Sequence, residues 1–324
     1  MADLSTTYMG LALRNPIIVG SSGLTNSVQS IENLEQHGAG AVVLKSLFEE
    51  QIMIETDTTY AESNLHPEAS DYLSYYMRED HLGSYLRLIA DAKAAVDIPV
   101  IASVCCITAS SWTRFAEEIQ KAGADALELN VLVLPADPKM ESDAIEKTYF
   151  DIVRQVLKHV SIPVALKVGY FFTDLAGMLQ RVSQSGVSGL VMFNRSYQPD
   201  IDIDKEVLVP GHPYSSPVDL ATSLRWIAIM AGQVRCDLAA TTGVHDGAAV
   251  IKQLLAGATA CQMVSSIYQN KAEVIAKSVS ELDDWMNRHH YNTIADFRGK
   301  LSQSHVETPA FYERVQFLKH FGQI

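Results

Sequence analysis

Two lysines stand inside otherwise apolar runs, Lys45 in AVVLKSL (41–47) and Lys167 in PVALKVG (163–169). An ammonium in such a run is costly unless it meets an anion or hydrogen-bond acceptors. One such lysine reads as a chain snorkelling to the rim of the fold. Two, each toward the C-terminal end of its run, point to a shared ligand. Asn130 closes ALELN and Asn194 closes GLVMFN. A primary amide offers both donors and an acceptor to the edge of a heterocycle, although either asparagine alone is as readily a structural amide. Ser21, Ser22 and Gly23 follow the first apolar run, Ser46 follows Lys45, Cys105 and Cys106 end the third run, and Arg195 follows Asn194.

A phosphate-binding pattern lies near the end of the chain. In DLAATTGVHDGAAVIKQLLAGATACQMVSSIY (237–268), a short apolar run ends in Thr241-Thr242-Gly243 and a helical pattern follows. Gly257 then closes the helix, and a second apolar run ends in Ser265-Ser266. Strand, glycine turn, helix, strand and paired hydroxyls suit a backbone N–H cradle for an anion. Gly243 allows the close approach. The competing reading is an ordinary strand–helix–strand unit without a ligand.

Together these residues suit a phosphorylated planar cofactor. FMN fits: a lysine stabilises the anionic reduced ring, and amides hold the pyrimidine edge. Pyridoxal phosphate fits less well, because no acid is placed for its ring nitrogen. A Schiff-base aldolase using Lys45 or Lys167 is the rival chemistry.

The elements that must position these residues alternate throughout. Strand patterns fall at 16–21, 41–47, 99–105, 126–132, 163–169, 189–194, 238–240 and 258–264. Helix patterns fall at 28–37, 81–96, 110–122, 143–160, 173–185, 217–231 and 245–255. Short, mostly apolar strands between helices mark a parallel sheet covered on both faces. Eight of them predict an α/β fold, a (β/α)8 TIM barrel, as one domain over 1–324. Residues 49–80 and 195–216 read as insertions after strands two and six, the first a candidate lid, and 272–321 as a largely helical tail. In such a barrel the strand C-termini carry the ligand chemistry, and the turns after strands seven and eight hold phosphate. The alternative, a doubly wound dinucleotide fold, wants GxGxxG after strand one, and Gly20-Ser21-Ser22-Gly23 does not supply it.

Composition sets outer limits. Lys+Arg 25 against Asp+Glu 38 gives a net charge of −13, which argues against nucleic acid and anionic membrane as partners. No apolar run reaches spanning length and no signal peptide is visible. The four cysteines form no paired CxxC, so no metal is expected and buried thiols in the cytoplasm are.

The chain resembles the dihydroorotate dehydrogenase family in its soluble class. Asn15-Pro16 with Ser21-Ser22-Gly23 resembles the family's NP…ASG opening, Leu44-Lys45-Ser46 its TKS, and Glu128-Leu129-Asn130 its ELN. Leu166-Lys167-Val168 resembles VKL, Phe193-Asn194 the strand-six asparagine, Thr242-Gly243-Val244 with Gly257-Ala258 the GGI…GA segment, and 295–301 the tail motif ADFxGKL. The resemblance covers most of the chain. It implies FMN, a dihydropyrimidine-like substrate and a homodimer. It implies cofactor contacts from Ser21, Ser22, Gly23, Lys45, Ser46, Asn130, Lys167, Asn194, Thr242, Gly243, Ser265 and Ser266. It implies substrate contacts from Asn130 and Asn194, and Lys45 and Asn130 at the reaction centre. Arg195 is a further candidate for a substrate carboxylate.

Three family motifs are missing, the GGxxG after strand six being replaced by Tyr214-Ser215-Ser216-Pro217. The family follows ELN with NxSCPN, whose Cys or Ser removes the C5 proton; this chain has Asn130-Val131-Leu132-Val133-Leu134-Pro135. Its NSMGLPN substrate loop has no counterpart in 60–80. Cys105 and Cys106 are the replacement bases to test, with His212, Tyr214 and Asp137 in reach on loops; a buried inert thiol is the competing reading for each cysteine. The expected function is FMN-dependent oxidation of dihydroorotate to orotate in pyrimidine biosynthesis. The alternatives are a flavin-binding paralogue with another substrate or no turnover, and a Schiff-base lyase.

Overall fold

Eight short runs of small and β-branched residues close into a parallel barrel. In order they are Ile17–Val19, Ala41–Val43, Val100–Cys105, Ala126–Asn130, Val164–Val168, Gly189–Met192, Asp237–Ala240 and Ala260–Met263. Each pairs in parallel with the next, and the eighth returns to the first through Cys261 opposite Ile17. The computed structural model describes residues 2–48, 67–105, 116–195 and 198–313, with side chains of the helix Pro67–Ala95 described from His81. Helices lie between the strands as a (β/α)8 barrel requires.

Local chemistry starts and stops these helices. Ser27, Asp174 and Asp246 cap Val28–Gln36, Leu175–Ser183 and Gly247–Ala256 by accepting backbone N–H groups. Gly257 ends the last of these at φ 122°, where an added Cβ would sit 2.4 Å from the Ala231 Cβ.

Inside the barrel, side chains alternate by rung. The floor is Ile18, Ala41, Val43, Ile101, Ala126, Ala165, Val191, Ala239 and Ala260. Five alanines leave room for a plug. An N-terminal hairpin, Thr6–Tyr8 paired with Leu11–Leu13, fills it with Tyr8, Met9 and Leu13. Met9 and Gly10 turn the hairpin at φ 53° and 79°, the double positive pair of a type I′ turn. The sequence reading does not find this hairpin, because its strands are three residues long and its turn is Met-Gly rather than Asn-Gly.

Three further elements differ from expectation. Strand two ends at Val43, not at 47. Val43 faces Ile101 and Leu47 faces Val104, so one residue is extra on the strand-two side, as in a bulge. Lys45 sits in that bulge and is exposed. The Tyr85 hydroxyl fills the gap, accepting from Ser103 N at 2.8 Å and donating to Ser103 O at 3.0 Å.

The expected helix at 81–96 begins at Pro67, inside the expected insertion. Residues 67–80 carry no apolar stripe, so periodicity is silent there, although Pro67 suits a first helical position and Glu68, Ala69, Leu73, Met77, Arg78 and Glu79 are good helix formers. The rest of that insertion, 49–66, lies outside the described residues.

The insertion after strand six carries an antiparallel hairpin, Pro199–Asp202 with Val207–Pro210. The tail is helical over Glu273–Arg288 and then turns, with the 295–301 motif docked on the helix Gly247–Ala256 through Gly299 N–H to Leu254 O and Leu301 N–H to Leu255 O.

The plug predicts a stability effect far from any ligand. Leu13 is 1% exposed, so Leu13→Ala should cost about 3 kcal/mol in urea unfolding. A change under about 1 kcal/mol would show that the hairpin does not seal the barrel.

Candidate active site

Above the apolar floor the next rung is polar. Ser103, Glu128, Lys167, Thr241 and Gln262 follow the floor residues Ile101, Ala126, Ala165, Ala239 and Ala260 by two positions each. Gln262 locks this rung: its Nε2 donates to Glu128 Oε2 at 2.6 Å, and its Oε1 accepts from Lys167 Nζ at 3.0 Å. Lys167 Nζ also lies 3.4 Å from Glu128 Oε1. Glu128 is buried, and its Oε1 has no hydrogen-bond partner among the described residues. Three strands thus hold one ammonium at the base of the mouth. The sequence reading found Glu128 and Lys167 but not Gln262, because a lone glutamine in ACQM carries no charge signal.

Below, Tyr8 is buried with its hydroxyl unpartnered. Burial first, then the negative charges of Glu128 and Asp237, push its phenol well above the usual range.

The mouth above this rung is a cavity of about 380 Å³. Its wall includes Ser21, Ser22, Lys45, Ser46, Asn130, Lys167, Asn194, Arg195, Thr242, Gly243 and Ser265. Most of the residues singled out in the sequence therefore meet on one surface. Ser21 and Ser46 share a 3.0 Å contact, and Ser46 reaches Ser103 at 2.7 Å, a hydroxyl chain under one side. Lys45 Nζ has no partner among the described residues. Asn130 Oδ1 and Asn194 Nδ2 are buried without partners among the described residues. One acceptor and one donor left unpaired in a cavity wall are costly until something fills them.

The cavity ends at the loop after strand seven. Thr242 (φ 72°) and Gly243 (φ 79°) are both left-handed. Thr242 is held there by its hydroxyl donating to Phe193 O at 3.2 Å. A Cβ on Gly243 would lie 2.1 Å from Leu220 N, so backbone packing leaves no room for one. Ser265 lines the same end and accepts from Ser215 N at 2.9 Å. Ser215 carries no site signal of its own in the sequence; it emerges only because the loop after strand six folds back onto the loop after strand seven.

The remaining candidates are committed elsewhere or lie apart from the cavity. Ser266 is fully buried, is not among the residues that line the cavity, and donates its hydroxyl to Val244 O at 3.3 Å. Gly23 packs against the Tyr268 hydroxyl rather than the cavity. Arg195 lines the cavity but does not pair with Asp200 or Asp202. Its guanidinium donates to the carbonyls of His212 (2.6 Å), Pro213 (2.8 Å) and Tyr214 (3.1 Å), clamping that loop. Cys105 shares the inward parity of Ile101 and Ser103, one rung above Ser103, and is half-buried. Cys106 lies outside the described residues. Among the described residues no group of three or more His, Cys, Asp or Glu could hold a metal ion, and no helix is long and apolar enough to cross a membrane.

Comparison with known proteins agrees with this geometry. Residues 3–286 match the family model described as dihydroorotate dehydrogenase. The chain is 24% identical over 318 residues to the dihydroorotate dehydrogenase B (NAD(+)) catalytic subunit of Thermoplasma acidophilum, covering 92% of this chain and 99% of that one. It is 23% identical to dihydroorotate dehydrogenase A (fumarate) of Lactococcus lactis subsp. cremoris, over 92% of this chain and 99% of that one. It is also 23% identical to the chloroplastic dihydropyrimidine dehydrogenase (NADP(+)) of Arabidopsis thaliana, over 92% of this chain and 76% of that one.

The two left-handed residues predict opposite outcomes. Gly243→Ala drives a Cβ into the Leu220 backbone and should destabilise the fold by about 2 kcal/mol or more. Thr242→Gly trades left-handed strain for a lost hydrogen bond and a freer unfolded chain, so it should stay within about 1 kcal/mol of wild type. Urea unfolding of both variants checks the pair, and equal effects would contradict the loop geometry.

Proposed function

The chain belongs to the dihydroorotate dehydrogenase family, and from that premise we propose that its barrel mouth holds FMN and that it is an FMN-dependent oxidoreductase. The observation that carries this reading is that Asn130 and Asn194 both line the cavity while each keeps a buried amide atom, Asn130 Oδ1 and Asn194 Nδ2, without a partner among the described residues. A donor and an acceptor there match the alternating N–H and C=O groups of a pyrimidine edge. The cavity volume is also in the range of cofactor sites.

In this reading Lys167 and Lys45 supply positive charge beside the ring, and Ser21, Ser22 and Ser46 line its approach. Thr242, Gly243 and Ser265 receive the phosphate, with the backbone of Ser266 behind them. Gly23 supports this wall from outside. FMN bound there supplies a two-electron acceptor that takes a hydride from a CH–CH donor. Gln262 and Glu128 hold the Lys167 amine in place. A Schiff-base role suits Lys167 poorly, since its amine is committed to that network.

The substrate is the finer part of the proposal. The donor is a dihydropyrimidine-like molecule, with dihydroorotate and a place in pyrimidine biosynthesis as the first candidates. Asn130 and Asn194 are shared with it. Where the family places its base, this chain has Leu132, Val133 and Leu134, none of which can accept a proton. Loss of a general base lowers a rate by roughly 10² to 10⁴. Cys105 has the inward parity of its strand, although it is not among the residues that line the cavity, and Cys106 follows it in sequence. Arg195 is spent on its loop, so the unpaired Lys45 is the better candidate for a carboxylate. The apolar replacement at the base position favours a second reading, a paralogue that oxidises another donor.

Anaerobic mixing of the flavin-loaded protein with dihydroorotate tests the substrate. Slow bleaching, slowed further in Cys105→Ala, is the expected result. Flavin that dithionite bleaches and dihydroorotate does not would move the substrate elsewhere.

A cytoplasmic homodimer is part of the same proposal. The hairpin after strand six exposes Ile201, Ile203, Val207 and Leu208, with Ile203 82% exposed. A lone two-stranded hairpin is marginal in water, and an apolar one asks for cover. Light scattering should find a dimer for wild type and a monomer for Ile203→Asp combined with Leu208→Asp. A dimer that survives both changes would place the interface elsewhere.

A further inference from the structure

The closed end of the cavity contains a titratable device. Ser215 is 6% exposed and lines that end. Its N–H is committed to Ser265 Oγ, which leaves the Ser265 hydroxyl hydrogen free for a ligand. Its own Oγ lies 3.1 Å from His245 Nε2, and the Gly243 N–H donates to it at 3.4 Å.

A hydroxyl has one hydrogen to give. In the neutral imidazole that carries its hydrogen on Nδ1, Nε2 is bare, so Ser215 spends its hydrogen on the ring and, with Gly243 N–H on one lone pair, turns the other toward the cavity. When Nε2 carries a proton, the imidazole donates to Ser215 and the hydroxyl hydrogen is released. Only the second state offers an anion an added donor.

We propose that Ser215 and His245 form a protonation-gated donor for phosphate, so that a phosphorylated ligand binds with uptake of a proton at His245. This rests on the reading of that end of the cavity as a phosphate site. His245 is a positioning residue, acting through Ser215.

The surroundings favour a proton that is absent before binding and present after it. Burial lowers the imidazole below the ordinary histidine value; hydrogen bonding to the Ser215 backbone and the carboxylates of Asp246 and Asp219, the charged groups that face it, oppose this without overcoming it. A phosphate one hydroxyl away adds negative charge at a range where opposite charge favours the cation by about one unit or more. The bound-state value then lies above the free-state value. The added affinity is therefore full below the free-state value and is lost as pH rises through the bound-state value.

The test is a proton NMR titration of the His245 ring, its signal assigned by loss in His245→Gln, in the apoprotein and with riboflavin, FMN or inorganic phosphate. FMN should raise the His245 midpoint by about one unit, a tenfold change in proton affinity. Riboflavin, which lacks the phosphate, should leave it unmoved, and Ser215→Ala should shrink the FMN effect. FMN bound without a shift would overturn the proposal and leave the flavin reading intact. A shift with inorganic phosphate in a protein that takes no FMN would uphold it and remove the flavin reading. No shift with either anion overturns it outright.

Discussion

One buried ion pair organises this barrel. Lys167 on strand five, Glu128 on strand four and Gln262 on strand eight meet in the rung between floor and mouth. A buried carboxylate and ammonium cost several kcal/mol each in lost hydration, and only close geometry with added hydrogen bonds offsets that. Gln262 supplies the added bonds: its amide faces both charges with the matching end, which also fixes its own orientation. Removing either charge would strand the other, so the three residues stand or fall together.

What lies below and above follows from that constraint. The apolar floor and its Tyr8 plug keep bulk water from the pair, which preserves the low dielectric that makes it matter. Five floor alanines are small because Tyr8, Met9 and Leu13 occupy the axis. Above, the Lys167 amine faces a cavity whose walls end in unpaired amides. Bulge, glycine loop and clamped loop each place one part of that wall. The bulge exposes Lys45, Gly243 packs flush on the Leu220 backbone, and Arg195 ties down 212–214.

Much of this was legible in the residues alone. Alternating strand and helix patterns gave the barrel, and the two lysines and two asparagines meet on one cavity as their strand-end positions implied. The parts that escaped are those that periodicity does not encode. The N-terminal plug has three-residue strands. The helix from Pro67 lacks an apolar stripe through 67–80, and the hairpin after strand six is short and solvent-facing. Gln262 and Ser215 are neutral residues whose roles exist only once strands eight, four and five, or two distant loops, come together. Arg195 lines the cavity beside Asn194, yet its guanidinium donates to the carbonyls of its own loop, which its place in the sequence does not reveal.

The central claim is that the unpaired amides, the held lysine and the glycine loop form a flavin site. Flavin content of the protein purified without added cofactor tests this most directly, by visible absorption and by identification of the chromophore released on denaturation. The account predicts oxidised-flavin bands and close to one FMN per chain, with flavin lost on changing Asn130 and Asn194 together to leucine. A well-folded wild-type protein that carries no flavin and takes none up when FMN is supplied would contradict it.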